Sequence, residues 1–147
     1  MMRRAVPLAG VLLLAVIVMQ LVPVARTNPA VVQDIAAPPD VQAVLRHACY
    51  DCHSHETVWP WYSRVAPVSW LITHDVNEGR EELDFSTWSA YPPPKRGKKL
   101  DKAAKEVTEG EMPPWYYRLL HPEARLSEAE AALIVQWLTA ERGKLPR

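Results

Sequence analysis

The sequence has little of what small domains usually lean on. Among 147 residues there are one phenylalanine, five glycines and two cysteines, and 17 basic residues are matched by 17 acidic ones. The two cysteines lie three positions apart and leave none for a long-range disulfide, which excludes a cystine-stapled scaffold. With Arg3 and Arg4 set aside, the formal charge of the remainder is about −2, whereas nucleic-acid binding calls for a clear basic excess, so no nucleic-acid partner is expected. No stretch alternates apolar and polar residues long enough to specify a strand, and no internal repeat is visible. About 120 residues remain after the apolar N-terminus, one domain's worth, which excludes a multidomain enzyme.

What the chain has instead is fourteen prolines and six tryptophans, a pattern of short helices, structured loops and flat apolar surfaces suited to a flat ligand. Met1 to Arg4 precede Ala5 to Ala25, a 21-residue stretch whose one strongly polar member is Gln20. As a helix it would cross a bilayer core of about 30 Å. The competing reading is a cleaved signal peptide, for which Pro23-Val24-Ala25 is a poor cleavage site. Residues 1–25 are therefore expected to be a membrane anchor or signal segment, with the arginines held on the cytoplasmic side. Either reading exports the rest, and the anchor reading gives a single-pass protein of the bacterial inner membrane with its domain in the periplasm. Residues 26–39, with Asn28-Pro29 and Pro38-Pro39, read as a linker, and residues 40–143 as the folded domain.

Within that domain Asp40 is a candidate N-cap for a helix over 41–49, and apolar spacing predicts a second over Pro67–Leu83. Phe85 to Tyr91 adds one turn, Tyr91 to Pro94 breaks the chain, and Lys95 to Glu109 forms a further helix ended by Gly110. Ser127-Glu128-Ala129-Glu130 has the spacing of a capping box ahead of Ala131, Ile134, Trp137 and Leu138. The expectation is an all-α fold of three to five short helices.

Cys49-Tyr50-Asp51-Cys52-His53 is the C-x-x-C-H pattern of covalent haem attachment, which composition alone would produce with a probability on the order of one in a thousand. Two thiols at the end of a helix can each add to one porphyrin vinyl group, and the adjacent histidine then sits under the iron. A zinc site would need four ligands, which His53 and His55 could complete only at unusual spacing. A thioredoxin-like pair would sit in a βαβ setting, and a local disulfide would close too small a loop to stabilise much.

These residues, with Trp59-Pro-Trp-Tyr62, Ala66 to Leu71, His74-Asp75-Val76, Glu78-Gly-Arg80 and Glu111-Met-Pro-Pro-Trp-Tyr-Tyr117, resemble the bacterial haem-binding domain family, over roughly residues 33 to 142. The resemblance implies a c-type, cytochrome-like protein with one haem bound through Cys49 and Cys52 and with His53 as axial ligand. It names no redox partner.

Met112 lies 59 residues after His53 and is followed by two prolines that stiffen its loop, an arrangement similar to the Met-bearing loop of class I c-type cytochromes. Met112 is thus the expected sixth ligand, with His74, His121 or an open position as competitors. Trp59, Trp61, Trp115 and Tyr116 are candidate pocket walls, since a macrocycle needs flat contacts and its propionates need donors. Lys95-Arg96-Gly97-Lys98-Lys99 reads as a solvated face or a docking patch for an acidic partner or anionic lipid. The functional expectation is a membrane-tethered monohaem cytochrome that passes single electrons to a redox partner, rather than a catalyst. The alternative is a haem sensor or peroxidase-like enzyme using Glu111, His74 or His121.

Overall fold

Proline and one capping box set the helix ends. The computed structural model describes residues 5–146, in which seven α-helices and no strand occur: α1 Ala5–Gln20, α2 Pro39–Ala48, α3 Tyr50–His53, α4 Val68–Glu82, α5 Pro93–Thr108, α6 Tyr117–Leu120 and α7 Glu128–Gly143. Helices α2 and α5 start on proline, whose missing N–H has no intrahelical partner to lose in a first turn. Asp40 is consequently not the N-cap. Pro38 takes that place, and Asp40 sits inside the first turn, its Oδ1 accepting from the Val41 N–H at 2.9 Å. Tyr91 to Pro94 likewise launches α5 instead of breaking the chain. The capping box at α7 forms in both directions, and Gly110, at φ +74°, turns the chain out of α5.

Six helices follow α1, rather than three to five, because α3 and α6 are single turns of four residues, too short to carry a helical period. Helices α5 and α2 both pack against α7, and α3 packs against α4. Between them Val41, Val44, Leu45, Leu100, Ile134, Trp137 and Leu138 form the core. Each such side chain, fully buried, contributes about 1.5–3 kcal/mol.

The N-terminus departs from expectation in two places. Helix α1 has 16 residues, about 24 Å at 1.5 Å per residue. Among the described residues no helix is long and apolar enough to cross a membrane, so the expected transmembrane helix is not formed there. The helix stops where Gln20 turns onto the domain: its Nε2 donates to the Val16 and Ala66 carbonyls at 3.0 and 3.1 Å, and its Oε1 accepts from the Ala66 N–H at 3.0 Å. Arg3 and Arg4 lie outside the described residues. The stretch read as a linker is also no free tether. The N–H groups of Val32 and Gln33 donate to the Ser86 carbonyl, that of Ile35 to Phe85, and the Ile35 side chain is buried in the core.

Candidate functional site

The pentapeptide Cys49 to His53 forms one tight turn, with the Cys52 and His53 N–H groups both donating to the Cys49 carbonyl at 3.2 and 2.9 Å. The turn places Cys49, Cys52 and His53 along one cavity of about 300 Å³. His53 Nδ1 lies 2.8 Å from the Gly79 carbonyl and 2.9 Å from that of Leu83, at the end of α4. Both partners can only accept, so Nδ1 carries the proton and Nε2 keeps its lone pair. Burial lowers the His53 pKa, against the pull of the two carbonyls, which favours the neutral, ligating form of the ring.

Helix α4 comes this close because residue 79 is glycine. A Cβ there would stand 2.6 Å from the Cys52 carbonyl oxygen and 3.1 Å from the Cys52 Cβ. Both cysteines are free thiols. Burial pushes each up to about 12, with Asp51 and Asp75 adding to the effect at Cys52, so both are protonated at neutral pH.

Apolar side chains make most of the wall: Leu45 and Ala48 from α2, Ile72 and Val76 from α4, Ala103 and Val107 from α5, Ile134 and Leu138 from α7, with Leu83 and Phe85 between. Met112, 37% exposed, borders the cavity from the loop after Gly110, whose start is tied down by the N–H groups of Glu111 and Met112 donating to the Glu106 carbonyl at 3.0 and 3.3 Å. Tyr62, Tyr116, Tyr117, Lys99 and Lys102 also border the cavity, as do Asp51, Asp75, Glu78, Glu82 and Glu106, and Tyr117 and Lys102 donate to Asp51 and Glu82 at 2.7 Å each. One imidazole with a free Nε2, one thioether, two thiols and an apolar wall are a donor set that fits a covalently attached macrocyclic iron cofactor. The zinc alternative has no counterpart: among the described residues no group of three or more His, Cys, Asp or Glu side chains could hold a metal ion.

Of the five histidines, His53 alone lines the cavity. His74 is exposed beside Glu78, His47 faces Glu130, and His55 pairs with Asp84 at 2.8 Å. His121 is held between Tyr62 and Glu123, and Glu111 lies outside the wall. The expected aromatic wall is built differently. Tyr116 borders the cavity, but Trp61 and Trp115 project into solvent at 77% and 67% exposure, and Trp59 donates to Asn28 Oδ1 at 3.1 Å. Aliphatic side chains from four helices take the place of these rings, since helix packing brings them in from all sides while the Trp-bearing loops lie outside. The basic cluster on α5 is partly consumed: Arg96 lies over Trp88 and donates to the Ser89 carbonyl, while Lys95 and Lys99 lie over the Tyr91 ring.

Three polar groupings escaped the sequence reading. Tyr117 donates to Asp51 at 2.7 Å, Tyr62 and Glu123 sandwich His121, and Arg80 holds four acceptors. The Arg80 guanidinium donates to the Ser54 and Thr27 carbonyls at 2.8 and 2.9 Å, to Thr57 Oγ1 at 2.9 Å and to Asn28 Oδ1 at 3.3 Å. The one signal in the sequence was Arg80's place beside Gly79, which by itself gives no partners. Since the acceptors come from residues 27–28 and 54–57, Arg80→Ala is expected to loosen both segments and cost about 2–4 kcal/mol, checked by urea denaturation.

The sequence matches the haem-binding domain family over residues 14–140. No curated protein and no solved structure matches the chain.

Proposed function

Because the chain belongs to the haem-binding domain family, we propose that it is a monohaem c-type cytochrome that passes single electrons outside the cytoplasm, close to a membrane. The observation that carries this reading is the convergence of Cys49, Cys52, His53 and Met112 on one cavity, with His53 already oriented through Nδ1. The Cys49 and Cys52 thiols would hold the haem, each by adding its sulfur and its hydrogen across one vinyl double bond, with no change in net oxidation state. His53 Nε2 and the Met112 sulfur are the side-chain atoms that would hold its iron. When bound, the haem supplies a one-electron iron couple whose potential a Met and His pair sets high. The apolar side chains of the four-helix wall would lower the polarity around the ring, which favours the less charged, reduced form.

Export is supported by the chemistry, since such thioethers are made where thiols meet exported haem, and membrane association by α1, whose Leu8 to Val18 side chains stand largely exposed with no protein partner to cover them. The test is the optical spectrum of oxidised holoprotein beside Met112→Ala. Iron–thioether bonding gives a weak long-wavelength band. The substitution is expected to abolish it and to lower the reduction potential by an amount on the order of 0.1 V, a fraction of the roughly 0.8 V that axial ligation spans. A high-spin spectrum in the unaltered protein, with carbon monoxide binding on reduction, would instead favour the sensor or peroxidase-like reading.

A further inference from the structure

A second, smaller cavity of about 190 Å³ lies where α1 meets the domain. Its lining comes from two segments, Gln20, Val22, Pro23, Val24 and Arg26 from the end of α1 onward, and Arg64, Ala66 and Ser69 from the turn before α4 and its start. Two guanidinium groups border it and no carboxylate does, in a chain whose basic and acidic residues are equal in number. Arg26 is held in place by donating through Nη1 to the Ser63 carbonyl at 3.1 Å, which leaves its other N–H groups free for a ligand. Arg64 has no ion pair or side-chain hydrogen bond among the described residues. The paired Gln20–Ala66 hydrogen bonds fix the floor of the cavity and the end of α1 together.

The surroundings say where an anion would come from. On one side stands the exposed apolar surface of α1, and on the other Trp61, Val65 and Val68 are exposed around the Arg64 turn at the start of α4. A dianionic solute would meet apolar surface on both flanks. The phosphate of a lipid has acyl chains that this surface can cover. Arg pairs bind phosphate oxygens through several parallel N–H bonds, and exposed Trp favours the interfacial zone.

We propose that Arg26 and Arg64 form a binding site for the phosphate of an anionic phospholipid, which docks the haem domain against the membrane in one orientation. The proposal rests on the membrane reading given above. It fixes which face of the domain meets lipid, something an apolar helix alone leaves open.

The test uses full-length holoprotein in dodecyl maltoside micelles, titrated with dihexanoyl phosphatidylglycerol or with inorganic phosphate while the arginine Nε–H NMR signals are followed. Saturable shifts of Arg26 and Arg64 with the lipid, at concentrations where inorganic phosphate gives none, are expected. One arginine near an anionic lipid surface is worth about five-fold in binding. Arg64→Gln, which removes no hydrogen bond of the fold, should therefore weaken the lipid by about five-fold, and Arg26→Gln with Arg64→Gln by about 30-fold, with an unchanged haem spectrum. Equal shifts with inorganic phosphate would make this a free-anion site and overturn the lipid assignment. No shift in a chain that diffuses with the micelle would overturn this proposal alone, and a chain that fails to enter the micelle would overturn the membrane reading with it.

Discussion

Changing Cys49 and Cys52 together to serine is expected to turn a haem that resists acidified acetone into one that extracts completely, while either single change leaves one thioether and a haem that stays with the chain. Serine is close in shape to cysteine, so the cavity keeps its form. What is lost is the sulfur that the proposed thioethers require. The cost in stability comes from setting a hydroxyl in an apolar wall, about 1–3 kcal/mol per site if it finds no partner. The thiols' environment also bears on how they react. Burial holds each at a pKa of about 12, so little thiolate is present at neutral pH and oxidation to a disulfide, which needs thiolate attack, is slow. The unloaded chain should therefore keep both thiols reduced for longer than an exposed C-x-x-C would, which thiol titration over time in air will measure. If the double variant still retained haem through acid extraction, the covalent assignment would be wrong. Loss of haem from both single variants would point instead to a role of the thiols in shaping the cavity.

Gly79→Ala is the second change with a large expected effect. The added methyl would have to occupy space 2.6 Å from a backbone oxygen, and a backbone cannot swing aside as a long side chain can. Helix α4 must therefore move off α3. Over-packing of this kind costs about 1–3 kcal/mol, and displacement weakens the two hydrogen bonds to His53 Nδ1, each worth about 0.5–1.5 kcal/mol. Together these predict a loss of about 2–4 kcal/mol and a melting temperature lower by roughly 10 °C. The same shift frees the imidazole to rotate, so the haem-loaded variant is expected to differ from the unaltered protein in its proportion of iron spin states. Thermal melting and the optical spectrum of Gly79→Ala check both parts. Gly10→Ala, where a Cβ meets nothing within 4 Å, is the control and should leave both unchanged.

Legibility in the sequence followed the range of the interactions. The C-x-x-C-H turn, the capping box at Ser127 and the helices around Val68 to Glu82 and Glu128 to Gly143 are local, each encoded within a few residues, and the sequence by itself determined them along with the all-α class and the nature of the cofactor. Met112 borders the same cavity as the C-x-x-C-H turn, on the loop that Gly110 and the two prolines mark in the sequence. The rest was decided by contacts far apart in the chain. Nothing local distinguishes Gly79 from a helix breaker; its meaning comes from Cys52, 27 residues earlier in the numbering. Residues 26–37 look like a tether because their partners, Arg80 and the Phe85–Ser86 backbone, lie some fifty residues on. Trp59, Trp61 and Trp115 have the right chemistry for a cofactor wall, yet burial depends on which way a loop leaves the core, and here aliphatic side chains from four helices arrive first. Composition and spacing determined what the site is made of, because bond-forming chemistry needs particular atoms at short range. Tertiary structure alone decided which surfaces enclose it and which aromatic rings stay outside, because burial is a property of the whole packed chain.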